Sequence, residues 1–132
     1  MIVVDASAVV EVVAYRRIEA LPERLDTGGT LHAPHLIDVE VTHAMRGLVA
    51  RGELSVDGAF LARRNAAEMS MTLYPHALLL ERAWQLRHTH STYDAVYIAL
   101  AELLPAPLVT CDARLASSRG HDAEIELFAP PA

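Results

Sequence analysis

The sequence contains no lysine; all 11 of its basic residues are arginine. Response-regulator receivers and haloacid-dehalogenase-type phosphatases also open on a strand ending in Asp, but both typically use a lysine near the acidic pocket, so neither can operate that way here. The Walker sequence GxxxxGK(S/T) is excluded for the same reason, and no GxGxxG follows a strand. Cysteine is nearly absent as well. Cys111 stands alone, which rules out an internal disulfide framework and fits a reducing interior, so a cytoplasmic location is expected. Long apolar runs are missing: no stretch approaches the roughly 18 uninterrupted apolar residues of a membrane span. The apolar start carries Asp5 and Glu11 with no basic segment before them, so it fails as a signal peptide, and no membrane partner is expected. Aromatic residues are few and scattered, and no platform for stacking nucleobases is evident.

What remains is an ordinary globular composition. The 132 residues are 52 % hydrophobic and 21 % charged, which suits one domain around one core. We expect that domain to span residues 1–129, with 130–132 as a frayed C-terminal tail. Ile2 to Val4 is a short apolar run ending at Asp5, and ASAVVEVVAY after it reads as a strand turning into a helix. Leu31 to Ala33 is a second strand, halted by Pro34. From Leu36 to Arg51 apolar residues recur at helical spacing, and Gly52 closes that helix. Ser55 caps a helix through VDGAFLARRNAAEM, and Met71 to Tyr74 makes a third strand before Pro75. Helices fit His76 to His88 and Thr92 to Leu104, a fourth strand fits Leu108 to Thr110, and a fifth Glu124 to Phe128. Short strands alternating with helices predict an α/β fold with a mostly parallel sheet, because parallel neighbours need a crossover that a helix supplies.

Ligands in such sheets gather beyond the carboxyl ends of the strands, and Asp5 and Asp112 each follow a strand. Each also has a plain role open to it as the cap of the next helix. If the first and fourth strands are neighbours, their ends lie about 4.8 Å apart, and two carboxylates there repel unless a cation or a shared proton intervenes. Asp94 opens the helix TYDAVYIALAEL, which has no polar face after Tyr93 and so belongs in a core. Ser91 fits the cap of that helix, with Asp94 reaching back to it as the acidic member of a capping box. In PHLIDVEV, Glu40 borders the apolar arc through Ile37 and Ala44, whereas Asp38 suits a first-turn anion; periodicity leaves open which of the two faces inward.

The stretches MIVVDAS, PHLIDVEV, TYDAVYIALAE and LVTCDARLA, in that order over nearly the whole chain, resemble the PIN-domain family and, within it, the VapC-type toxins of bacterial toxin–antitoxin pairs. The resemblance implies a PIN-like three-layer α/β fold whose mostly parallel five-stranded sheet runs in order 3-2-1-4-5 between helices. It also implies an acidic cluster binding Mg2+ or Mn2+, and metal-dependent cleavage of RNA by the toxin of a type II pair. Carried over position by position, the acidic set falls on Asp5, Glu40, Asp94 and Asp112. Ser7 of the DxS start and Thr110 of the TxD strand end are the supporting residues. Where such proteins commonly have Asn shortly after the helix glutamate, this chain has His43.

In that arrangement Asp5 and Asp112 are first choice as direct metal ligands, Asp94 binds directly or through water, and Glu40 holds a water. The seven histidines lack ligand spacing and are expected in surface or structural roles. A chain of net charge −6 that cuts a polyanion needs local cations, and Arg46, Arg114 and Arg119 are the candidates for phosphate contact. Apolar residues around FLARRNAAEM and along Leu36 to Leu48 offer an uncovered groove to a partner helix; by resemblance that partner is a VapB-type antitoxin, and a homodimer is also expected. The competing readings are a PIN-fold module that binds RNA or protein without cutting, and a nuclease or phosphatase with another substrate. Four concentrated acids argue against the first, because binding alone gains nothing from negative charge facing phosphate.

Overall fold

The computed structural model describes residues 1–131. Its centre is a five-stranded sheet in the order β3-β2-β1-β4-β5. The strands are β1 (Ile2–Val4), β2 (Leu31–Pro34), β3 (Met71–Tyr74), β4 (Leu108–Thr110) and β5 (Ile125–Leu127). Every pairing is parallel, with Val4 opposite Val109 and Pro34 opposite Tyr74. β1 and β4 are buried along their whole length, the condition of strands covered on both faces. The covering helices form two groups: α1 (Ala6–Val10), α3 (Leu36–Ala50) and α4 (Val56–Glu68) pack together, and α5 (Leu80–Gln85) packs on α6 (Thr92–Leu103). Ala95 to Ala101 on α6 are all buried, as a helix without a polar face requires. The expected fold class, strand order and most element bounds hold. Of the expected tail, Ala132 lies outside the described residues, while Pro130 lines a groove beside the site described below.

The structure adds three features and breaks one expected helix. After α1 the backbone widens into a π-helical turn, Glu11–Tyr15, closed by Arg16 N donating to Glu11 O at 2.7 Å. Arg16 takes φ 56°, a left-handed conformation, and the reversal returns Arg17 to the Glu11 side chain. Helix α2 (Ala20–Thr27) follows, with Leu21 and Leu25 buried. Its i, i+4 apolar pair and a proline in the first turn are the sequence signals for it. Helix α7 (Ala113–Ala116) is a single turn beyond β4. The helix expected over His76 to His88 is instead a 3-10 turn, His76–Leu78, and then α5, which stops at Gln85. A tertiary contact accompanies the break: Leu36 N at the start of α3 donates to His76 Nε2 at 2.8 Å.

Candidate functional site

The carboxyl ends of β1 and β4 are joined by a chain of hydroxyls. Asp5 caps α1, its Oδ1 accepting from Ala8 N at 3.1 Å and from Ser7 Oγ at 2.7 Å. Its Oδ2 accepts from Thr110 Oγ1 at 2.6 Å. Ser7 Oγ in turn accepts from Cys111 N, and Thr110 Oγ1 accepts from Asp112 N. Asp5 is therefore both cap and anchor of the strand ends, and its carboxylate is buried. Burial pushes its pKa up; bonds from Thr110, Ser7 and Ala8 oppose that, and the nearby Asp112 charge adds to the rise.

Asp112 caps α7, with Oδ1 accepting from the amides of Arg114 and Leu115 at 2.9 and 3.3 Å. Asp94 lies in the first turn of α6, where Ser91 Oγ accepts its amide at 3.2 Å as expected. The reverse half of the expected capping box does not form: the Asp94 carboxylate turns to Arg114, whose Nη2 lies 2.9 Å from Asp94 Oδ2 and 3.0 Å from Asp112 Oδ2. On α3, Glu40 is half-buried and accepts from the Tyr97 hydroxyl at 2.6 Å, while Asp38 is exposed. The inward acid is Glu40. Burial raises its pKa, Asp5 and Asp94 raise it further, and the Tyr97 bond works against both. Tyr97 itself is pushed far up by burial and by the same three acids, so its hydroxyl stays protonated.

The structure thus brings Asp5, Glu40, Asp94 and Asp112 into one electrostatic neighbourhood, with Ser7 and Thr110 bonded to the Asp5 carboxylate. Among the described residues, no three acidic, histidine or cysteine side chains already converge as a metal cage. The donor set still fits a hard divalent cation, which takes carboxylate oxygens and retains waters, and the Arg114 nitrogen between two carboxylates marks where positive charge is accommodated. Of the other expected cations, Arg46 and Arg119 are exposed and form no ion pair among the described residues.

Beside the acids opens a groove of about 740 Å³ whose lining includes Ser7, Glu40, His43, Tyr93 and Cys111. At one wall the buried Glu11 carboxylate is held by Arg17 through its amide, Nε and Nη2, at 3.0, 3.2 and 2.9 Å. Sequence reasoning passed over Tyr97, although it sits one turn beyond Asp94 on the same helix, and over the Glu11 pair, which only the π turn brings together. The histidines are structural where bonded: His32 joins Thr30 to Tyr74, and His121 accepts from Ala123 N. Val56, Phe60 and Leu61 on α4 and Val39 on α3 are exposed, so part of the apolar surface expected to await a partner is indeed uncovered.

An all-parallel 3-2-1-4-5 sheet with acids gathered at its central strand ends defines a class, and comparison with known proteins agrees with it. The family model for the PIN domain matches residues 2–120, and the chain belongs to the PIN-domain family. Its relatives there include Ribonuclease VapC12 of Mycobacterium tuberculosis, 45 % identical over 98 % of this chain and 100 % of that one. Ribonuclease VapC1 of the same organism is 43 % identical over 95 % of this chain and 96 % of that one. Among solved structures, PAE2754 of Pyrobaculum aerophilum superposes with a TM-score of 0.69 at 22 % identity, covering 94 % of this chain and 81 % of that one. Mycobacterium tuberculosis VapC20, a sarcin-ricin loop cleaving toxin, superposes with a TM-score of 0.65 at 17 % identity, covering 89 % of this chain and 94 % of that one. No described helix is long and apolar enough to cross a membrane.

Proposed function

We propose that this chain is a divalent-metal-dependent endoribonuclease, the toxin of a type II toxin–antitoxin pair, acting in the cytoplasm. The observation that carries the reading is the proximity of Asp5 and Asp112, beyond β1 and β4, to Asp94 of α6 and Glu40 of α3, on a chain whose near-full-length relatives are named ribonucleases. Asp5, Asp94 and Asp112 would hold Mg2+ or Mn2+, and Glu40 would orient a water. A bound divalent ion supplies Lewis acidity at the scissile phosphate and lowers the pKa of a coordinated water. The chain supplies rigidity: Ser7 and Thr110 fix the Asp5 carboxylate in one orientation, as a preorganised charge site requires. Tyr97 fixes Glu40 in the same way and, being protonated, presents a donor to it. Exposed Arg46 and Arg119 are cations for the RNA backbone, which dominates nucleic-acid affinity.

The apolar groove beside Glu40, with exposed Val39 at its edge, suits a segment of a VapB-type antitoxin. A homodimer is the second assembly we propose, and light scattering on the purified chain reads it directly. The activity test is incubation with RNA and with DNA, in Mg2+, in Mn2+ and in EDTA, beside Asp5→Asn and Asp112→Asn. Cleavage of RNA that EDTA and both substitutions abolish is expected. RNA cleavage indifferent to EDTA and to both substitutions would overturn the metal mechanism, and cleavage of DNA alone would overturn the substrate.

A further inference from the structure

The acids of the site already share a cation that the chain itself supplies. Arg114 Nη2 lies 2.9 Å from Asp94 Oδ2 and 3.0 Å from Asp112 Oδ2, so a single nitrogen is divided between carboxylates from two different elements. The carboxylate side chains are sheltered, at 19 % and 32 % exposure, whereas the Arg114 side chain is 70 % exposed. A guanidinium held at its tip and otherwise in water leaves at small cost. Two sheltered carboxylates left without a cation repel each other, so they demand a replacement. Asp112 Oδ1 is committed to the amides of α7; Oδ2, the oxygen Arg114 holds, is the one left to turn to another cation. A cation drawn to either Oδ2 atom would meet an oxygen that the Arg114 nitrogen already contacts at about 3 Å.

We propose that Arg114 is an internal competitor for the divalent cation: its guanidinium and the metal share Asp94 and Asp112, and one binds only as the other leaves. The proposal rests on the metal-dependent reading of the same site. Arg114 N stays bonded to Asp112 Oδ1, so the displaced guanidinium remains tethered beside the acids and returns when the ion departs. The device raises the metal concentration needed to occupy Asp94 and Asp112, which in the absence of metal share a single positive charge.

The test is calorimetric titration of Mn2+ into EDTA-stripped, dialysed full-length protein, comparing wild type, Arg114→Gln and Arg119→Gln. Freeing Asp94 and Asp112 of a guanidinium that is itself mostly in water is worth a modest gain, so Arg114→Gln should bind Mn2+ about five- to tenfold more tightly, and Arg119→Gln should match wild type. In wild type, the 15N side-chain resonance of Arg114 should shift with added Mg2+ and saturate together with binding. Equal or weaker Mn2+ affinity in Arg114→Gln overturns the proposal, as does an equal gain in Arg119→Gln, which would make the effect one of general charge. If wild type binds Mn2+ and only the Arg114 effect is absent, the competitor alone is refuted. If none of the three proteins binds Mn2+, the metal reading beneath it falls too.

Discussion

Replacing Tyr97 by Phe isolates a single hydrogen bond at the heart of the site. The ring is 2 % exposed and packed in the core, and its hydroxyl donates to Glu40 Oε1 at 2.6 Å. Phe keeps the ring and removes only that donor. A hydrogen bond to a charged partner is worth about 1.5–3 kcal/mol. Glu40 is half-buried, so water restores part of the loss and the lower end, about 1.5 kcal/mol, is expected. For a domain of this length each kcal/mol moves Tm by about 3–5 °C, so Tyr97→Phe should melt about 5–7 °C below wild type at neutral pH. Acid supplies the sign. The bond favours ionised Glu40 and holds its pKa down against burial; once Glu40 is protonated, the bond joins neutral groups and is roughly half as strong. The gap in Tm should therefore be widest at neutral pH and narrow as pH falls through the Glu40 titration. Calorimetric melts in EDTA across that range measure it, and a gap that stays constant or widens with acid would refute the assignment.

Three further outcomes follow from the same geometry. Asp5 has a raised pKa, so the stability it lends is fully present below the ordinary carboxylate range and is lost as pH rises through the folded value. Asp5→Asn should thus abolish RNA cleavage yet melt no lower than wild type at neutral pH in EDTA; a clearly lower Tm contradicts this. Arg17→Ala leaves Glu11, whose side chain is 3 % exposed, as an unpaired buried carboxylate; it should lower Tm far more than Arg64→Ala, whose partner Glu68 is 65 % exposed, and adding Glu11→Gln should recover part of the loss. The Cys111 thiol is pushed up to about 12, chiefly by burial and then by Asp5 and Glu11, so iodoacetamide at mildly alkaline pH should modify the folded protein much more slowly than the unfolded one; equal rates would argue against that environment.

The sheet was readable where a strand meets a breaker, as β1 does at Asp5, β2 at Pro34 and β3 at Pro75, and the helices because α3 is long enough for periodicity to register and α6 is an unbroken apolar run. Asp5, directly after β1, and Asp112, one residue beyond β4, were readable because a charge that follows a buried strand has to be placed near the strand end. Choosing Glu40 over Asp38 was beyond periodicity, since both lie near the start of α3; the choice is made by Tyr97, a residue distant in sequence. The break before α5 was hidden, and the bond found there joins His76 to Leu36 N, 40 residues away in sequence. Arg114 was legible as a cation near the acids. That its guanidinium spans two carboxylates needed the relative placement of α6 and β4.

The π turn at Glu11–Tyr15 carries one residue more than a regular helical turn needs. An α-helix advances about 100° per residue, so deleting one residue there would swing Arg17 a quarter-turn or more around the axis and strip Glu11 of its countercharge. Point substitutions in the exposed part of this segment should be forgiven, whereas length changes of a single codon should not. In a library of insertions and deletions, this short span should stand out as a gap in the survivors beside the more tolerant segment leading into α2.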